Sequence, residues 1–287
     1  MKIPVIKELN LENNEKLTLT NEGNLTFFWT GIGSAFSKKM YQTNLVIIKG
    51  NDHILVDCGT RCPSAFIDYG CPITNIRNFL ITHSHADHIG GLEEVALLNR
   101  YLIKNKPKMI VVKEYLKMLW EHSLKGGCAY NEVHDGKNLE MDDFFEMLLP
   151  KKVSDEPRPL YQIQFGEIDI KLFRTMHIPD SAKSWKEAAF SYGILVDERV
   201  IFTSDTKHDP DLINMLLDKY PKIEIIFHDC QLFPGGVHAA YKELMTYPEE
   251  IKSKMFLTHY GDNFGDFKPE NDGFLGFTKQ GFYYHFD

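Results

Sequence analysis

Thr82-His83-Ser84-His85-Ala86-Asp87-His88 places four metal-ligating side chains, three imidazoles and one carboxylate, within six residues. Imidazole nitrogen and carboxylate oxygen together suit zinc, and they also accept manganese, iron or cobalt. A tight turn there can splay alternate side chains about two points, with His83 and His85 facing one cation and Asp87 and His88 the other. Gly90-Gly91 follows, as expected where backbone passes close to a crowded site. More donors are needed to fill two coordination shells. His177 follows the apolar run IKLFRTM, Asp205 follows VIFTS and His259 follows KMFLT. Each sits where an apolar strand ends, the edge at which open α/β sheets gather their sites. Any one of these three is as readily a polar residue at a strand end. Joined to the cluster, they make a set of five imidazoles and two carboxylates without sulfur.

The elements that must position these groups are legible as hydrophobic patterns. Residues 45–59 read as two strands about a Gly-Asn-Asp turn, and FLIT at 79–82 as a short buried strand leading into the histidines. GLEEVALLNRYLI sets Leu92, Val95, Ala96, Leu102 and Ile103 on one helical face. Residues 107–160 read as a helical insertion, because KEYLKMLWEHSL and MDDFFEMLL are both amphipathic. Strand character returns at IDIKLF, FSYGILV, RVIFTS, KIEIIF and KMFLT, with helices about Pro210–Tyr220 and in AAYKELM. The tail at 263–287 carries Phe264, Phe267, Phe274, Phe277, Phe282, Tyr283, Tyr284 and Phe286 among glycines, and reads as an edge strand or subunit contact.

Length and charge bound the rest. At 287 residues, with no repeat and no linker, one large α/β domain spanning 1–287 is expected. Forty acidic against 32 basic residues give a net charge of −8. That argues against a grip on long nucleic acid, which gains affinity by neutralising many phosphates. A small phosphorylated substrate is compatible with it, since bound cations supply local positive charge. The opening MKIPVIKELNLENNEKL lacks the apolar centre of a signal peptide, and no apolar run is long enough for a membrane span. Five cysteines without a CxxC pair predict reduced thiols and a cytoplasmic protein.

The order HxHxDH, then His, Asp and His resembles the metallo-β-lactamase superfamily over nearly the whole chain. The resemblance implies an αββα sandwich with the metals at one edge of its two sheets. It implies two divalent ions, zinc by default, with His83, His85 and His177 on the first. Asp87, His88 and His259 would hold the second, and Asp205 would bridge. Asp57, in LVDCG, matches the family's strand-end aspartate and would orient a ligand histidine or the motif loop. Antibiotic-hydrolysing members commonly carry Cys where Asp205 stands, and diiron oxidoreductases carry Glu where His85 stands, so hydrolysis of another bond is implied.

Three further segments resemble the phosphodiesterase branch. Trp29-Thr30-Gly31-Ile32-Gly33-Ser34-Ala35-Phe36 is similar to the GTGSA loop of tRNA 3′-processing enzymes, alkylphosphonate-pathway phosphodiesterases and phage anti-Pycsar cyclic-nucleotide phosphodiesterases. Ser191-Tyr192-Gly193 and Ser204-Asp205-Thr206 resemble that branch's motifs around the bridging Asp. His228-Asp229-Cys230 stands where the tRNA-processing group has HEAT, without its Glu-Ala-Thr.

These matches imply a metal-dependent phosphodiesterase for small phosphodiesters such as cyclic nucleotides, acting as a homodimer. Asp87 would also orient the attacking water. His228, at a strand end, would protonate the leaving oxygen, with His238 in support. His53, His122, His134, His208 and His285 read as ordinary surface or turn residues. Two other functions stay open. One is a tRNA 3′-processing endoribonuclease, against which stand the acidic charge and the missing Gly/Pro-rich basic arm. The other is a thioester or lactone hydrolase of glyoxalase type.

Overall fold

The computed structural model describes residues 2–287. Two eight-stranded mixed sheets form its centre. In spatial order the first runs Val5–Glu8, Phe282–Phe286, Leu25–Gly31, Asn44–Lys49, Asp52–Val56, Asn78–Leu80, Lys108–Ile110, Glu146–Leu148. The second runs Lys151–Ser154, Leu160–Phe165, Ile168–Arg174, Tyr192–Val196, Val200–Phe202, Ile225–Asp229, Met255–Thr258, Gly276–Phe277. Each sheet is antiparallel over its first five strands and parallel over its last four, the fifth strand belonging to both sets.

Strand alternation sorts side chains between two layers of contacts. Phe27, Trp29 and Tyr284 of the first sheet meet Phe202, Phe227 and Phe256 of the second, with ring centroids 5.0–5.7 Å apart. Phe28 points the other way, onto Tyr69 at the end of the helix Cys62–Asp68. His228 likewise leaves the inner face and meets Tyr247, which lies outside the second sheet beside His208. Helices therefore cover the outer faces, and the strands Leu25–Gly31 and Tyr192–Val196 are buried along their whole length. This is the αββα sandwich expected from the sequence.

Three local expectations are corrected. The insertion at 107–160 is helical only from Lys113 to Cys128. MDDFFEMLL makes a single 3-10 turn, Met141–Asp143, and then the strand Glu146–Leu148. Its buried Met141, Phe144 and Phe145 do follow helical spacing, but pairing of Met109 with Met147 in the first sheet takes precedence. In the helix after the motif, Leu92, Val95 and Ala96 are buried, whereas Leu102 and Ile103 face water. The chain winds as a π-helix over Leu98–Ile103, so the apolar face drifts, and Asn99 is buried instead with Nδ2 donating to Val95 O at 2.9 Å. In the tail, Gly276–Phe277 is an edge strand, but Phe282–Phe286 is interior, because Val5–Glu8 pairs outside it. Phe274, Tyr284 and Phe286 are core residues.

The five cysteines are free thiols, all buried. Among the described residues, no helix is long and apolar enough to cross a membrane.

Candidate metal centre

The site lies where strands of both sheets end. Asn78–Leu80 delivers His83, His85, Asp87 and His88. Ile168–Arg174 delivers His177, Val200–Phe202 delivers Asp205, and Met255–Thr258 delivers His259. The chain turns sharply at these exits: Asp57, Ser204 and His259 all have left-handed φ, at 63°, 50° and 61°. Non-glycine residues tolerate that conformation only where the surroundings impose it, which is common at functional sites. Gly90 and Gly91 are also required, since a Cβ would lie 2.2 Å from Thr60 Oγ1 at the first and 2.7 Å from Gly59 O at the second.

All seven predicted ligand residues converge, in two of three groups that share Asp205, the third being Asp205, Asp229, His238 and His259. In the first, His85 Nδ1 lies 3.1 Å from His83 Nε2 and 3.0 Å from His177 Nε2. Asp205 Oδ2 completes it at 3.6 Å from His83 and 3.5 Å from His177. In the second, Asp87 Oδ2 lies 3.3 Å from His88 Nε2 and 3.2 Å from His259 Nε2. Asp205 Oδ1 is 3.2 and 3.6 Å from those nitrogens. A tetrahedral zinc with bonds of about 2.0–2.1 Å has ligand-to-ligand edges of about 3.3 Å, so both groups have the size of a single-ion shell.

The polar accounting agrees. His88 Nε2 and both carboxylate oxygens of Asp205 are buried without a hydrogen-bond partner. Orphaned groups in a dry interior are costly, and a cation facing all of them is the simplest remedy. Three outward ring nitrogens, by contrast, are engaged. His88 Nδ1 meets Asp57 Oδ2 at 2.7 Å, His177 Nδ1 meets Val237 O at 2.8 Å, and His83 Nδ1 meets Thr82 Oγ1 at 3.1 Å. Such partners fix ring orientation and aim the inner nitrogens at one point. Asp57 also accepts from Thr82 N at 2.9 Å and Thr82 Oγ1 at 2.7 Å, so it braces both the motif loop and a ligand ring.

Charge is poised for the same purpose. Burial pushes His83 and His85 below the usual imidazole pKa and His177 to about 4, leaving lone pairs free to ligate. Burial alone would raise the Asp87 and Asp205 carboxyls, but the facing histidines outweigh it and hold both below the ordinary carboxylate range. Burial would lower His88 and His259 too, but Asp205 and the other carboxylates facing them outweigh it and raise both above the usual imidazole value, so a cation there takes the place of their protons.

The structure does not bring His228 to this centre. Within Ile225–Asp229 it alternates with Phe227 and Asp229, so its ring leaves by the outer face toward Tyr247, with Nδ1 2.7 Å from Asp229 O. Asp229 is the residue that faces inward. Its Oδ2 accepts from Thr206 N and from His238 Nδ1, both at 2.8 Å, and its Oδ1 lies 3.4 Å from His259 Nδ1. His238 is partly exposed, and its ring stacks on His259 at 4.7 Å and approaches Asp205 Oδ2 to 3.8 Å. The strand-end rule that found His177, Asp205 and His259 also points to Asp229. An apolar run alone leaves open which of two adjacent polar residues faces in.

Two facing sheets with helices outside, and this ligand set at their common edge, define a metal-binding hydrolase of the metallo-β-lactamase fold. Solved structures of that fold superpose broadly. The protein YhfI from Bacillus subtilis gives a TM-score of 0.61 at 13% identity, covering 91% of this chain and 99% of its own. A diphosphatase of the PhnP family gives 0.59 at 17% identity over 83% and 87%. The short form of human tRNase Z gives 0.53 at 17% identity over 83% and 93%. The chain belongs to the family described as "Anti-Pycsar protein Apyc1", whose profile matches residues 25–284. Anti-Pycsar proteins Apyc1 of Bacillus phage vB_BsuM-Goe3 and of Paenibacillus harenae are 40% and 34% identical to it. They cover 88% and 83% of this chain, and 94% and 90% of their own length. The metal-dependent phosphodiesterase expected from the sequence stands with that membership.

Proposed function

We propose that the chain hydrolyses cyclic mononucleotides with two divalent cations, zinc by default. His83, His85 and His177 would hold the first, Asp87, His88 and His259 the second, and Asp205 both. The observation that carries this reading is the pair of four-residue groups sharing a buried Asp205 whose two oxygens have no other partner. When bound, two such cations activate a water and offset the charge that builds on phosphoryl oxygens. Asp87, on the second group, also orients that water. His238 stands beside the centre with one ring nitrogen tied to Asp229, and gives its proton to the departing oxygen. Burial would lower the His238 pKa, but the Asp229 carboxylate outweighs it and favours the protonated ring.

Small size of the substrate is supported by charge, since 40 acidic residues against 32 basic ones oppose a long polyanion. The resemblance of Gly31–Phe36 and Ser204–Thr206 to the phosphodiesterase branch supports phosphodiester chemistry. We further propose a cytoplasmic homodimer; five buried free thiols suit a reducing compartment.

The test is a panel run on metal-reconstituted protein at matched salt: cyclic mononucleotides, precursor tRNA, a thioester, a lactone and a β-lactam. Ring opening of cyclic nucleotides well above every other turnover is expected. Efficient tRNA 3′-end cleavage with inert cyclic nucleotides, or turnover of the thioester or lactone alone, overturns the reading.

A further inference from the structure

Two phenylalanines stand in water on the segments that border the centre. Phe36 is 86% exposed and Phe233 is 64% exposed. Neither position is a slack tip. Gly33 bridges to Tyr260, the residue after His259, and Ser34 N donates to Tyr260 O at 3.0 Å. On the other side of Phe36, the Asp262 carboxylate accepts from Ser37 Oγ at 2.5 Å, Lys38 N at 2.9 Å and Lys39 N at 3.2 Å. The ring is therefore held out by a loop pinned on both sides to the turn that carries His259. Phe233 rides on the segment between Gln231 and Ala239, whose ends are joined by Gln231 N to Ala239 O at 2.8 Å. Gln231 Nε2 also donates to Phe233 O at 3.0 Å. That same segment supplies His238 and the Val237 carbonyl that orients His177. The loop of Phe36 is thus tied to the His259 turn, and the segment of Phe233, whose side chain borders an apolar pocket with Tyr241 and Phe267, carries the carbonyl that orients His177.

An exposed aromatic ring on a fixed loop gains free energy when a flat apolar surface covers it. The proposed substrate has such a surface at a fixed distance from its phosphate. We propose that Phe36 and Phe233 form the nucleobase subsite, stacking on the base of a cyclic nucleotide whose phosphate lies at the centre. This rests on the cyclic-nucleotide reading above. Stacking uses the π-face that every base has, so the subsite accepts purines and pyrimidines alike. Neither ring touches the reacting atoms, and their contribution is to binding.

The experiment compares wild-type, Phe36→Ala, Phe233→Ala and Phe36→Trp on 3′,5′-cyclic AMP, 3′,5′-cyclic UMP and a cyclic ribose phosphate bearing methoxy in place of the base. Each alanine variant should raise KM for both nucleotides about 5- to 100-fold, in line with base–aromatic stacking. It should leave kcat and the abasic substrate unchanged, and Phe36→Trp should keep the wild-type KM. Calorimetric binding of a cyclic nucleotide phosphorothioate to metal-loaded protein should weaken in parallel. Equal losses on the abasic substrate, or no KM change on either nucleotide, overturn the proposal. So does a fall in molecular mass on Phe36→Ala with KM unaltered, which assigns that ring to a contact with a second copy. Failure of the wild-type protein to open either nucleotide, with the abasic compound also inert, refutes the substrate reading instead.

Discussion

Asp229 Oδ2 lies 2.8 Å from His238 Nδ1, while Asp229 Oδ1 lies 3.4 Å from Nδ1 of His259, so one buried carboxylate holds the first ring by a hydrogen bond and faces the second. His228, its neighbour in the chain, takes no part because it occupies the other face of the strand.

This relationship separates proton delivery from packing. His238→Ala should lower turnover of substrates with poor leaving groups about 10²–10⁴-fold, the usual scale of general-acid catalysis. Activated nitrophenyl diesters, whose leaving group departs without a proton, should lose far less. Asp229→Asn should show the same leaving-group dependence in milder form, and His228→Leu should leave turnover unchanged. Steady-state rates over a leaving-group series decide the matter: a uniform loss across the series for His238→Ala assigns it to structure.

A second expectation concerns Asp57. Replacing it with Ala strips the acceptor from Thr82 N, Thr82 Oγ1 and His88 Nδ1, all in a dry interior. Each donor left unpaired costs about 1–3 kcal/mol, so thermal unfolding should come several degrees earlier. Metal affinity should fall about 10–100-fold as His88 loses its brace. Competition with a calibrated chelator measures this, and unchanged affinity would mean that Asp57 only supports the fold.

A third expectation concerns polymer binding. Inhibition of cyclic-nucleotide turnover by precursor tRNA should be weak and should vanish with added salt, since few phosphates can be neutralised by an acidic surface. Tight inhibition persisting at 0.2 M salt, roughly where a multi-contact complex has already lost much affinity, would reveal a local basic track.

The converging residues were legible because His177, Asp205 and His259 each follow an apolar strand and the other four cluster after a fourth, a pattern that survives errors in individual elements. The fold was legible for a related reason: strands buried on both faces read as continuous apolar runs, as in LVII and YGILV. What escaped the sequence depends on the side a residue faces. His228 and Asp229 are adjacent, and only the pairing of Ile225–Asp229 between two strands decides which one points inward. MDDFFEMLL has helical spacing, yet its fate is set by the edge of a sheet at Met109, which precedes its partner Met147 by 38 residues. A period of 3.6 puts Leu102 and Ile103 on the buried face, and that period fails once the helix widens at Leu98.

The central claim is that Asp205 joins two cations in one centre. Metal analysis of purified protein and of Asp205→Ala, paired with cyclic-nucleotide turnover before and after chelation, tests it most directly. The account predicts close to two transition-metal ions per chain, with metal and activity lost together in Asp205→Ala and after chelation. Full turnover in exhaustively chelated protein, or an undiminished metal content in Asp205→Ala, would contradict it.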